Sequence, residues 1–169
     1  TSYASSPFLL ADKLRNDYAS TEFATKTIRE FGWELNNRLK SFRVNQIYVE
    51  PDFFKIFNFK LEKGVYPIEP NTLVISHEIA EKFYKNSNPI GQILSHPTYG
   101  SFKVTGVLMP FKKETQFRSD VMVSMATYTN RNKEAASSKA WGAYESYTFV
   151  KLKPNVKSTS LDVAIAQIA

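Results

Sequence analysis

The sequence predicts an α+β fold. Two observations carry this. Segments with a two-residue alternation and segments with a helical period follow one another without a regular βαβ rhythm. Hydrophobic residues make up 43% of the 169, and charged residues 22%, an ordinary globular balance that excludes a disordered or collagenous chain.

Ser5-Ser6-Pro7 before FLLADKLRNDY reads as a helix start, with Ser6 as cap and Pro7 at the first helical position. Leu10, Leu14 and Tyr18 then mark one apolar stripe. Residues 22–31 alternate as a strand. Gly32 permits a bend, and WELNNRL reads as a return strand. Residues 41–50 alternate and turn apolar at Ile47-Tyr48-Val49. Pro51 and Asp52 open a short helix whose Phe53, Phe54, Ile56 and Phe57 are expected in the core. Gly64 and Pro67 mark a loop that Pro70-Asn71 closes.

TLVIS is a short buried strand. Ser76 caps the following helix, which turns Ile79, Ala80 and Phe83 inward. Asn88-Pro89-Ile90-Gly91 is a turn. ILS, a hairpin loop at 96–100 and FKVTGVLM follow. Residues 110–120 are a polar loop, and VMVSMATY runs from strand into helix. Residues 129–143 lean helical, and YESYTFVKLKP is a strand. Ser158 or Ser160 caps a last helix.

The chemistry-bearing residues are sparse. No cysteine is present, which removes disulfides, thiolate metal sites and a cysteine nucleophile. His77 and His96 stand at no metal-ligand spacing, and no HExxH, GxSxG, GxGxxG or Walker-type motif occurs. Catalytic residues, a metal and a cofactor are therefore not expected. Of the net charge of +6, +5 falls in residues 101–169 as dispersed singles and pairs, mostly lysine, rather than as a concentrated Lys/Arg face, so nucleic acid is not an expected partner. The aromatic content is 14%. Tyr99, Phe117, Tyr128, Trp141, Tyr144 and Tyr147 fall in or near loops, and Tyr99, Phe117, Arg118, Trp141 and Tyr144 form the candidate partner or substrate surface. A standalone module binding a glycan or peptide through these aromatics is the alternative reading. Core packing is the competing explanation for each ring.

The order of motifs resembles a known family. Ser6-Pro7-Phe8-Leu9-Leu10-Ala11-Asp12-Lys13-Leu14 comes first, then Val49-Glu50-Pro51-Asp52-Phe53-Phe54-Lys55-Ile56-Phe57-Asn58-Phe59. Leu73-Val74-Ile75-Ser76, Asn88-Pro89-Ile90-Gly91 and Phe102-Lys103-Val104-Thr105-Gly106-Val107 follow. Ser119-Asp120-Val121-Met122-Val123-Ser124 and Tyr147-Thr148-Phe149-Val150-Lys151-Leu152-Lys153 complete the series. Together they resemble the MacB-like periplasmic core domain of FtsX-type ABC transporter permeases. Departures are Tyr84-Lys85-Asn86 in place of a glycine after Phe83, and Arg118-Ser119 where Ser-His is usual.

The resemblance implies a porter-like α/β subdomain built from both chain ends, residues 1–45 and 145–169, and an inserted Sabre-like mixed α+β subdomain, 46–144. It implies an inner-membrane permease with this noncatalytic domain in the periplasm, coupling cytoplasmic ATP hydrolysis to efflux, export or lipoprotein and peptide handling. The implied partners are a second permease copy, a cytoplasmic ATP-binding subunit or domain, and a periplasmic adaptor or lipoprotein. The uncapped LDVAIAQIA end fits a chain that continues into a membrane helix.

Overall fold

The computed structural model describes residues 5–85, 87–111, 117–134, 137, 140–142 and 144–168. Its elements, in order, are α1 (Leu10–Asp17), β1 (Thr21–Ile28), β2 (Trp33–Asn36), β3 (Ser41–Val44), β4 (Gln46–Val49), α2 (Pro51–Phe57) and β5 (Leu61–Gly64). There follow β6 (Thr72–Ile75), α3 (His77–Tyr84), β7 (Ile93–His96), β8 (Gly100–Leu108), β9 (Val121–Ser124), α4 (Met125–Arg131), β10 (Tyr147–Leu152) and α5 (Thr159–Ile168). The expected α+β class is what forms: one mixed sheet ordered β10-β1-β4-β9-β6-β8-β7-β2-β3, with β5 beside β8. The β4–β9 and β6–β8 pairs are parallel. The other pairs are antiparallel.

The apolar runs at 47–49, 72–75 and 121–124 have a common cause. Strand residues alternate between faces, and here both faces are covered. Tyr48, Leu73, Ile75, Val121 and Val123 join one core with Trp33, Ile79, Phe83 and Phe102. Their neighbours Ile47, Val49, Val74 and Met122 join a second core with Phe53 and Phe54. Phe53 is fully buried and stacks on Phe59 with ring centroids 5.4 Å apart. Phe53 and Phe54 thus lie in the core as expected and Phe57 and Phe59 pack against it half-buried, whereas Ile56 joins no core cluster. α1 and α5 cover β1 and β10 through Leu10, Leu14, Tyr18, Ala24, Val150 and Leu161.

Several local expectations are corrected. Ser6 caps no helix. α1 begins at Leu10 with no side-chain cap, and Ser6 instead bridges to Ser146, its N–H donating to the Ser146 carbonyl at 2.6 Å. Residues 41–50 form two strands rather than one. Asn45 breaks them: its N–H donates to the Asp120 carboxylate at 2.8 Å and its carbonyl accepts from Asp120 N at 2.9 Å. That break lets β3 pair with β2 while β4 pairs with β1 and β9. The return strand 33–36 does not fold back on β1. It pairs with β3 and, through Asn36↔Ser95, with β7 at the far end of the sheet from β10.

Gly64, expected to mark a loop, is instead the last residue of β5. It has φ +86°, and a Cβ there would sit 2.1 Å from the Thr105 carbonyl oxygen, so only glycine lets β5 lie against β8. The Ser76 cap forms as expected, its hydroxyl accepting from Ile79 N at 3.2 Å. Ser160 lies inside α5, where its hydroxyl donates to the Lys157 carbonyl at 2.8 Å. Residues 112–116 of the polar loop and parts of 135–143 lie outside the described residues.

A network of charges ties α1, β1 and α2 together. Lys26 of β1 has a side chain only 4% exposed, and its ammonium pairs with Asp12 at 2.6 Å and Glu50 at 3.1 Å. Arg15 reaches Glu50 at 2.9 Å and Asp52 at 3.4 Å. A buried lysine needs such partners, because an unpaired charge there is strongly unfavourable.

Candidate functional site

The residues that could act on a partner gather where β1, β4 and β10 meet the chain flanking β9. There, Arg29, Phe31, Phe117, Tyr144, Tyr147 and Phe149 line an open groove of about 670 Å³. Its floor is built by strand alternation: Tyr147 and Phe149 stand two apart on β10 and point the same way. Phe117 packs on Phe149 at 5.1 Å and on Phe57 of α2 at 4.4 Å. The rim is open: Phe31 is 90% exposed, Tyr144 63% and Tyr147 47%. A groove of this kind offers aromatic surface at little conformational cost.

The five sequence-selected residues are not all brought together. Phe117 and Tyr144 line the groove, and Arg118 is exposed beside Phe117 in the chain. Trp141 sits half-buried in a 3-10 turn, Ala140–Gly142, and does not line it. Tyr99 belongs elsewhere. Its ring stacks on His96 at 4.4 Å, lies 5.6 Å from Trp33, and carries the Arg131 guanidinium at 3.7 Å. Tyr128, a loop-near aromatic by sequence, is buried in the first core.

Sequence reasoning missed Glu30, Tyr48 and Arg131, which organise the aromatics on the first-core side of the sheet. The Glu30 carboxylate accepts from Trp33 Nε1 at 2.9 Å and from the Tyr48 hydroxyl at 3.1 Å, with Arg131 Nη2 at 3.6 Å. Arg131 also donates to the Tyr48 hydroxyl. The Tyr128 hydroxyl donates to Glu145, a groove residue, at 2.6 Å. Burial, followed by the Glu30 charge, pushes the Tyr48 hydroxyl well above its ordinary value; burial and then the hydrogen bond to Glu145 do the same for Tyr128. Both therefore act as fixed hydrogen-bond donors. Glu30 and Arg131 are 101 residues apart in the chain, and no spacing signal links them.

Neither histidine lines the groove. His77 Nδ1 meets Glu62 at 2.8 Å on the surface. His96 Nδ1 accepts from the Thr98 and Tyr99 N–H groups at 3.1 Å, a turn-closing role. Burial and then the Arg131 charge lower the His96 pKa. Among the described residues no three His, Asp or Glu side chains cluster to hold a metal ion. No helix among them is long and apolar enough to cross a membrane.

The profile of the MacB-like periplasmic core domain matches residues 6–168. The chain belongs to this family. The MacB-like fold is also that of solved structures. A domain of a protein described as a permease, from Porphyromonas gingivalis, superposes with a TM-score of 0.81 at 19% identity, over 98% of this chain and 77% of that one. The periplasmic region of MacB from Actinobacillus actinomycetemcomitans gives 0.74 at 19% identity, over 96% and 72%. The extracellular domain of the noncanonic ABC-type transporter YknZ from Gram-positive bacteria gives 0.66 at 13%, over 96% and 79%. No curated protein matches the chain. The chain is thus a periplasmic core domain of the kind found in MacB-like ABC transporter permeases.

Proposed function

We propose that this domain is the noncatalytic periplasmic part of an inner-membrane ABC permease, paired with a second copy and coupling cytoplasmic ATP hydrolysis to export or to lipoprotein or peptide handling. The observation that carries the reading is the family match across residues 6–168. The aromatic groove supports it by offering a contact surface for a periplasmic adaptor, lipoprotein or exported peptide, with Phe117, Tyr144 and the adjacent Arg118 as the contact residues. Tyr99 and Trp141, which do not line the groove, fall outside this proposed surface.

The same reading divides the chain into a porter-like unit from both chain ends and an inserted unit. The packing of α1 and α5 on β1 and β10 supports grouping these four elements, with β1 pairing to β4 of the inserted unit. The pairing of β2 with β7 argues for assigning the 33–44 hairpin to the inserted unit rather than to the chain-end unit.

The full-length parent permease, co-expressed with its ATP-binding subunit in proteoliposomes, tests the reading. A membrane helix must precede Thr1 and others must follow Ala169. Substitution Tyr144→Ala together with Phe31→Ala lowers transport and the recovery of a periplasmic partner on co-purification. A parent gene encoding a free secreted chain overturns the reading. In that case the groove serves the standalone binding module, and an array of glycans and peptides would identify its ligand.

A further inference from the structure

A cationic patch lies at the other end of the sheet. The β2–β3 turn, residues 37–40, reads Asn-Arg-Leu-Lys, and Leu39 at its tip is 89% exposed. The leucine is held out by a built turn. Asn37 Oδ1 accepts from Leu39 N at 3.3 Å and Lys40 N at 3.0 Å, and Asn37 N donates to the Lys40 carbonyl at 3.1 Å. The turn is fastened to the last turn of α3. Lys40 Nζ donates to the Lys82 carbonyl at 2.7 Å, Asn37 Nδ2 to the Phe83 carbonyl at 3.4 Å, and Phe42 packs edge-on to Phe83 at 5.0 Å.

This arrangement draws together charges that are far apart in the chain. Arg38, Arg43, Lys82 and Lys85 are exposed and Lys40 is half-buried around the leucine. The carboxylates on the same segments, 33–43 and 81–85, are Glu34 and Glu81. Glu34 stands opposite Arg43 across the hairpin and accepts from Ser41. Among the described residues none of the five cations makes an ion pair. Exposed Ile93, two residues from the Ser95 that pairs with Asn36, adds a second apolar side chain nearby.

We propose that this hairpin tip and the end of α3 form a docking surface for an acidic segment of a partner protein that carries an apolar side chain. Charge complementarity selects the acidic partner, and the cations steer its approach. Leu39 supplies the anchor. A leucine standing clear of the fold contributes nothing to the core, whereas on docking it loses water contact. A protein segment fits better than a lipid surface, because the apolar element is one leucine on a rigid turn with Ile93 nearby, not the broad aromatic and aliphatic face that enters a bilayer. The proposal stands on the patch alone and does not rest on the transporter reading.

The experiment is an amide-shift titration of the 169-residue chain with two synthetic peptides, one of glutamates interspersed with leucines and one with serines in the leucine positions. Shifts are expected at residues 37–43 and 82–85, and the leucine peptide should bind roughly tenfold tighter. Arg38→Glu with Lys85→Glu should weaken it roughly tenfold, and added salt should weaken it further. Leu39→Ser should erase the preference between the peptides. Absence of binding, shifts centred elsewhere, equal affinity for both peptides, or indifference to the charge reversal overturns the proposal. So does tighter capture by phosphatidylglycerol vesicles through the same residues, which would make the patch a lipid contact.

Discussion

Replacing Glu50 by leucine tests the charge network that joins α1, β1 and α2. Glu50 Oε2 accepts from Arg15 Nη2 at 2.9 Å and from the Lys26 backbone N–H at 3.0 Å, while Oε1 lies 3.1 Å from Lys26 Nζ. The two side chains are 4% and 13% exposed, so water screens the pair little. Removing the carboxylate leaves the Lys26 ammonium with Asp12, which is 37% exposed, and strips the Lys26 N–H of its acceptor. Breaking a buried pair costs about 3–5 kcal/mol. The surviving Asp12 contact sets the expectation near the lower end, about 3 kcal/mol.

Lys26→Met should cost less, about 1–2 kcal/mol, because Glu50 keeps Arg15 and the backbone N–H. The double variant should be more stable than the sum of the singles predicts, by ~1–3 kcal/mol, since it leaves neither charge unpaired. Urea unfolding followed by fluorescence of the buried Trp33 reads all three. With a slope of ~2 kcal/mol/M the Glu50→Leu midpoint falls by about 1.5 M. A loss below ~1 kcal/mol, or strict additivity, would refute the argument that Lys26 depends on this carboxylate.

Two further substitutions probe other parts of the fold. Gly64→Ala places a methyl group 2.1 Å from the Thr105 carbonyl at a φ of +86°, and should cost more than ~1 kcal/mol with chemical-shift changes along β5 and β8; a neutral result would refute the close approach. His96 has a pKa below its ordinary 6.5. The unfolded chain therefore binds the proton more readily, so the histidine's contribution is complete above about pH 6.5 and is lost as pH falls through the lower native value. Thermal unfolding between pH 7 and pH 5 should decline more steeply for the native chain than for His96→Gln; parallel profiles would contradict this.

Local sequence was a good guide where the chain satisfies its own backbone. Ser76 beside a helical period marks α3, and the turn at 96–100 closes β7 on β8 as its residues suggest. It misled where a distant group supplies the partner. Ser6 and Pro7 carry the chemistry of a helix start, yet Ser146, 140 residues away, takes the Ser6 N–H. Asn45 gives no break signal within 41–50, because the break is made by Asp120. The groove was half legible: Phe117 and Tyr144 were selected as loop aromatics, but alternation and turn residues say nothing of which rings meet across the sheet. Tyr99 looks free in a Thr-Tyr-Gly loop and is held by Arg131.

Composition, motif order and periodicity determined the α+β class, the family and the lack of any recognisable catalytic motif, since these depend on residue types and short spacings. They also determined that the aromatic run Phe53–Phe59 belongs to the core. The tertiary structure alone decided which surfaces exist. Counted along the chain, the positive charge gathers in residues 101–169, while residues 51–100 are balanced. The fold instead sets Arg38, Lys40 and Arg43 against Lys82 and Lys85, because a hairpin turn is hydrogen-bonded to the end of a helix more than forty residues later. A charge patch is a property of positions in space, and Coulomb interactions follow those distances rather than the order of the chain.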